Sequence, residues 1–162
     1  MTDAGGMTYI RMMLDILRKK ETHLAKILEF TYAQHKLLAQ TEFDELEFMK
    51  LVEKKDGIIT KIGEFDNGFQ SIFHRVAEEL KDNKAAYQEQ VLEMQGLITT
   101  ITDLGVRISA LEEKNKKALE LALQSKKKTI RQFKVGKQTA DKYYKNMIGL
   151  QTQKSYFMDQ KN

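Results

Sequence analysis

The chain has 162 residues, about one domain's worth, and contains no proline, no cysteine and no tryptophan. At a usual frequency of about 5% roughly eight prolines would be expected, and an internal proline costs a helix about 3 kcal/mol, so their absence points to long helices and excludes turn-rich sandwiches and barrels. The net charge of +4 is unevenly spread: residues 114–162 hold 13 Lys/Arg against 3 Asp/Glu, or +10, and residues 1–113 hold 14 against 20, or −6. Without cysteine there is no disulfide, thiol nucleophile, iron–sulfur cluster or Cys-based zinc site, which fits a reducing compartment.

Residues 1–7 read as a flexible start. They have no basic stretch leading into an apolar one, and no apolar run exceeds the four residues Met147 to Leu150. The expectation is therefore a cytoplasmic protein with no signal peptide and no membrane span.

A first apolar stripe passes through Ile10, Met13, Leu14, Leu17, Leu24, Ile27, Leu28, Thr31, His35 and Leu38, in steps of three, four or seven residues. This is a helical period, and it predicts a helix over about 8–39 whose wet face carries Arg18, Lys19, Lys20, Glu21 and Lys26. Around residues 40–42 the pattern stops, and Thr41 with Asp44 three residues on suggests a cap for the next helix.

A second stripe, Phe43, Leu46, Met49, Val52, Ile58, Ile59, Ile62, Phe65, Phe69, Ile72, Phe73, Val76 and Leu80, predicts a helix over about 43–80. Asp56-Gly57 and Asn67-Gly68 would mark hairpins between strands, but the helical period continues through both, so these glycines are read as helical. Phe65, Phe69 and Phe73 are assigned to the core. The polar stretch Lys81-Asp82-Asn83-Lys84 supplies a second turn.

The third stripe is Tyr87, Val91, Met94, Leu97, Ile98, Ile101, Leu104, Ile108, Leu111, Asn115, Ala118, Leu119, Ala122, Ile130 and Phe133. It predicts a helix over about 84–134, whose roughly 50 residues would span roughly 75 Å and overhang the other two. Gly105 is a candidate bend, and Lys126-Lys127-Lys128 interrupts the seam. Asn115 keeps heptad spacing with Ile101 and Ile108, so it is either a buried polar residue that fixes register or the point where the seam frays into solvent.

These elements specify an all-α fold, an elongated antiparallel three-helix bundle over residues 1–135, followed by a basic tail, 136–162, that keeps Tyr143, Tyr144, Met147, Ile148, Tyr156 and Phe157. The third stripe and the tail together offer more apolar surface than the chain is expected to cover.

No chemical constellation stands out. His23, His35 and His74 occur in neither H-E-x-x-H nor paired E-x-x-H spacing, and His74 with Glu78 one turn on is read as a solvated pair. Gly136-Lys137 ends like a phosphate-binding loop, but Arg131 stands at the first glycine and Gln138 at the metal-binding hydroxyl. No nucleophile lies beside a base. The reading is a non-enzyme with no cofactor, no metal and no small-molecule substrate. Residues 114–137 hold nine Lys/Arg and one acid, Glu120, yet the acidic remainder and the lack of a base-reading motif weigh against a nucleic-acid binder.

The segment from Leu37 to Leu46, with Lys55 ahead of Ile58 and Ile59, resembles the first turn and second helix of FlgN-like flagellar export chaperones. Leu111-Glu112-Glu113-Lys114-Asn115 with Leu119 and Leu123 is similar to that family's asparagine-bearing third helix, and Tyr143-Tyr144 with Ser155 to Lys161 is similar to its tyrosine-containing tail. The resemblance implies a chaperone, a monomer or small homo-oligomer, that carries hook-associated proteins to the type III export apparatus. It further implies that the client's terminal helix lies along Leu111, Asn115, Leu119 and Leu123, and that the tail aromatics order around it. Two alternatives stay open: a chaperone for the filament cap, and a structural coiled-coil adaptor whose third helix is buried between copies.

Overall fold

Uninterrupted apolar stripes free of proline form three long helices in the computed structural model, which describes residues 4–126. They are α1 (Ala4–Leu38), α2 (Glu45–Asp82) and α3 (Gln88–Lys126). With 35, 38 and 39 residues, each is about 52–58 Å long, so the described helices are well matched. The overhang expected of the third helix, residues 127–134, lies outside the described residues, as do the domain boundary at 135 and the tail. Helix α3 continues through Gly105, and α2 through Gly57, Gly63 and Gly68.

The start of α2 differs from expectation in an instructive way. Thr41 is exposed in the turn and caps nothing in α2, whereas Asp44 is the N-cap, its side chain accepting the Glu47 backbone N–H at 3.1 Å. Phe43, just before the cap, packs edge-on against Phe48 with ring centroids 5.5 Å apart, which is the hydrophobic staple that fixes how the chain enters a helix. Glu45 and Glu47 in the first turn complement the helix dipole. The staple also sets the buried face: Phe48 and Val52 point inward, and Leu46, about 120° round the helix from Val52, is 70% exposed rather than in the core.

The second turn falls at residues 83–87, slightly later than expected, because the helix carries on through Lys81 and Asp82. The Asn83 N–H closes α2 on the Glu79 carbonyl at 2.9 Å. Tyr87 is fully buried, and its hydroxyl donates to Glu79 Oε1 at 2.8 Å. Residues 4–7 are the first turn of α1 rather than a flexible start, and Gly6 sits directly against the Tyr87–Glu79 pair.

Helix α1 is the inner helix. It packs closely on both α2 and α3, while α2 and α3 bring no Cα atoms within 8 Å of each other and meet only through side chains. The large core runs from Ile10 to Leu28 on α1, with Ile59, Ile62, Phe69, Val76 and Leu80 from α2 and Met94, Ile98, Ile101 and Ile108 from α3. A smaller cluster of Phe43, Phe48, Val52 and Leu123 closes the opposite end. Of the phenylalanines assigned to the core, Phe69 is buried, while Phe65 and Phe73 are half-buried, Phe65 meeting the His23 ring edge-on at 4.9 Å.

Two glycine substitutions test this packing with opposite signs. Gly57 is exposed and a Cβ there meets nothing within 4 Å, so Gly57→Ala is expected to stabilise by about 0.5–1 kcal/mol. A Cβ at Gly6 would lie 2.6 Å from the hydroxyl of the fixed Tyr87 ring, so Gly6→Ala is expected to lower the thermal midpoint despite its better helix propensity. Thermal unfolding followed by circular dichroism reads both.

Candidate functional site

A layer of polar side chains crosses the bundle between its two apolar clusters. From α2, Lys55 is only 3% exposed and donates to Gln34 Oε1 of α1 at 2.8 Å and to Glu112 Oε1 of α3, with which it forms an ion pair. Thr31 Oγ1 lies 2.7 Å from the Ile27 carbonyl and 3.2 Å from Glu112 Oε1, its single proton serving one acceptor at a time. One turn further along α3, Asn115, 3% exposed, donates through Nδ2 to the Thr31 carbonyl at 3.0 Å and accepts from His35 Nδ1 at 3.2 Å. The fraying alternative for Asn115 is thereby excluded. His35 is exposed at the rim of the layer, where Asn115 satisfies it.

Lys55 and Asn115, two residues that carry the resemblance, thus belong to one network with a chemistry of its own. Burial holds the Lys55 ammonium below its ordinary range, against the opposing pull of Glu112. A second buried pair joins Lys20 of α1 to Asp66 of α2. Lys20, expected on the wet face, is 1% exposed; burial lowers its affinity for a proton and raises the Asp66 carboxyl above the usual carboxylate range, each opposed by the partner's charge. Lys20 falls three residues after Leu17 and four before Leu24, which is a seam position, and a lysine there enters the core only because Asp66 meets it.

The third-helix residues expected to meet a partner face inward. Asn115 and Leu123 are buried, and Leu111 and Leu119 are half-buried, Leu111 against the large core and Leu119 with Leu123 against Phe43 and Phe48. Heptad spacing there marks an intramolecular seam, which α1 and the start of α2 cover; among the described residues of this helix the large apolar side chains left exposed are Leu92, Val106 and Leu121, while Ile130 and Phe133 lie outside the described residues. The structural adaptor required that same seam to be buried between copies. Tyr143, Tyr144, Met147, Ile148, Tyr156 and Phe157 lie outside the described residues. His74 and Glu78 are both exposed, and among the described residues no group of three or more His, Cys, Asp or Glu could hold a metal. No helix among them is long and apolar enough to cross a membrane.

The buried ionisable side chains, Lys20, Lys55, Asp66 and Glu112, are thus paired with one another across the bundle. The chain belongs to the FlgN family: the family described as FlgN protein matches residues 7–147, which take in almost all of the three helices and extend to Met147. This is a flagellar export chaperone family, so the protein is a chaperone of flagellar type III export rather than a member of an enzyme family. No curated protein and no solved structure matches the chain.

Removing one member of the central pair leaves the other charge buried alone, at a cost of about 3–5 kcal/mol. Lys55→Met is therefore expected to lower the unfolding free energy by that order in urea, and Lys55→Met with Glu112→Leu to recover most of the loss. A single variant as stable as the parent would contradict the pairing.

For Asp66 the sign follows from linkage. Its folded pKa lies above its ordinary 3.8, so in that window the folded protein binds more protons than the unfolded chain, and the contribution of Asp66 to stability grows as pH falls. The stability of the parent relative to Asp66→Asn is expected to rise from pH 7 towards pH 4. A pH-independent difference would show that burial does not govern this carboxyl.

Proposed function

We propose that this chaperone acts in the cytoplasm, holds hook-associated flagellar proteins by their terminal helices and delivers them to the type III export apparatus. The observation that carries the reading is the reach of the family match: it passes the last described residue of α3, Lys126, and continues to residue 147, through Tyr143, Tyr144 and Met147. The bundle covers its own seam, so the client contacts are assigned to the tail, with Tyr143, Tyr144, Met147, Ile148, Tyr156 and Phe157 packing on the apolar face of a client helix. Leu119 and Leu123 anchor the end of α3 from which the tail departs, Leu111 and Asn115 hold that end in register, and exposed Leu121 continues the apolar surface on the outside. Ordering of the tail on binding would cost on the order of 2–5 kcal/mol, which keeps the complex releasable.

Binding of the full chain to the terminal helices of a hook-associated protein, measured by calorimetry, tests both parts of this reading. Deleting residues 138–162 is expected to weaken the complex at least about tenfold. Unchanged affinity would remove the tail from the mechanism, and failure of the intact chain to bind such helices would remove the client.

A further inference from the structure

At the end of the bundle opposite Lys126, a groove of about 450 Å³ opens between the end of α2 and the start of α3. That is within the size range of about 300–1,000 Å³ typical of ligand clefts. Its walls include Phe73 and Leu80 of α2 and Leu92 of α3, the last 53% exposed. Gln95, also in the wall, is 6% exposed, and its side-chain Nε2 has no acceptor among the described residues. A buried donor with nothing to bond is uncommon in a folded protein and implies an acceptor supplied from elsewhere. Among the described residues, Lys81 and Lys84 are the only ionisable ones lining the groove; the acids nearby in sequence, Glu78, Glu79, Asp82, Glu89 and Glu93, do not line it, and neither lysine is in an ion pair there.

We propose that this groove docks an amphipathic helical segment of a partner polypeptide whose apolar side chains fill the floor and whose carboxylates meet Lys81 and Lys84, with a side-chain or backbone carbonyl accepting the free N–H of Gln95. Charge selects this occupant over the chain's own C-terminal segment: residues 127–162 carry nine Lys/Arg against two Asp, the same sign as the groove's rim, and they follow Lys126, which is about 47–57 Å along α3 from the groove residues Gln95 and Gln88. The geometry is that of a helix laid between two others, anchored at one-turn intervals. Because the groove is lined by residues between Phe73 and Gln95, the proposal stands apart from the role assigned to residues 138–162.

The test uses the full chain and a fluorescein-labelled synthetic peptide of about four helical turns, with leucines on one face and glutamates on the other, and a matched peptide with lysines in place of the glutamates. Fluorescence anisotropy is expected to show the glutamate peptide binding at least about tenfold more tightly than the lysine peptide. Lys81→Glu with Lys84→Glu is expected to abolish that preference. Gln95→Met is expected to weaken the glutamate peptide several-fold while leaving the thermal midpoint equal or higher, because it removes an unsatisfied donor; a purely structural glutamine would not separate the two readouts. Binding of the glutamate peptide that persists in the double lysine variant would be binding to the basic tail and would overturn the proposal. So would a dimer, detected by light scattering, that the lysine reversals dissociate without any effect on peptide binding.

Discussion

The buried pairing of Lys55 with Glu112 is the interaction on which the rest of the bundle's geometry depends. Three helices with near-continuous apolar seams have many acceptable registers, because leucines and isoleucines slide past one another at modest cost. A buried ammonium has one. Sliding α3 by a heptad would set Gly105 or Leu119 opposite Lys55 and leave a charge unpaired in the core, a far larger loss than any apolar misfit. The layer ties all three helices at once, since Lys55 comes from α2, Gln34 and Thr31 from α1, and Glu112 and Asn115 from α3. It therefore fixes relative positions where the backbones of α2 and α3 do not themselves approach.

The apolar stripes were legible in the sequence because their spacing repeats what a helix must bury, and nearly every stripe residue of α1 and α3 is at least half-buried. Of the polar core only Asn115 was legible, as one of two readings, and the rest was hidden for a reason visible in the same stripes. Where the first stripe jumps from Leu17 to Leu24 a seam position is vacant, and Lys20 fills it; Lys55, Asp66 and Glu112 occupy seam positions of the same kind, but the apolar residues near them, Ile58, Phe65 and Leu111, carry the stripe past them. Composition alone assigns such residues to solvent. Only the partner across the bundle, contributed by a helix tens of residues away, makes burial tolerable, and that pairing has no local signature. The reverse holds at the start of α2, where Phe43-Asp44 and Phe48 carry a staple and cap within six residues, yet Thr41 and Leu46 stand out instead.

The site expected on α3 shows the same ambiguity between an inner seam and an outer one. Leu111, Asn115, Leu119 and Leu123 have the spacing of a face that meets another helix, and spacing does not say whether that helix is in the same chain. Here α1 and the first turns of α2 provide it. What heptad spacing could not rank is the face left over, where Leu92, Val106 and Leu121 are singly exposed rather than joined in a stripe.

Covering the seam in cis has a functional logic for an export chaperone. An open heptad seam presents the same surface that another copy of the chain would fill best, so a bundle that left it bare would associate with itself before it met a client. Closing the core with a third helix and pinning the register with buried charge separates folding from recognition: the seams of residues 4–126 are covered by their own contacts, which leaves recognition, in the reading proposed above, to surfaces that the core does not need. The charge distribution follows the same division, with −6 through residue 113 and +10 beyond it. The C-terminal part of the sequence thus concentrates positive charge, and Lys81 and Lys84 add a local positive patch to the bundle itself, so both favour acidic segments of a partner.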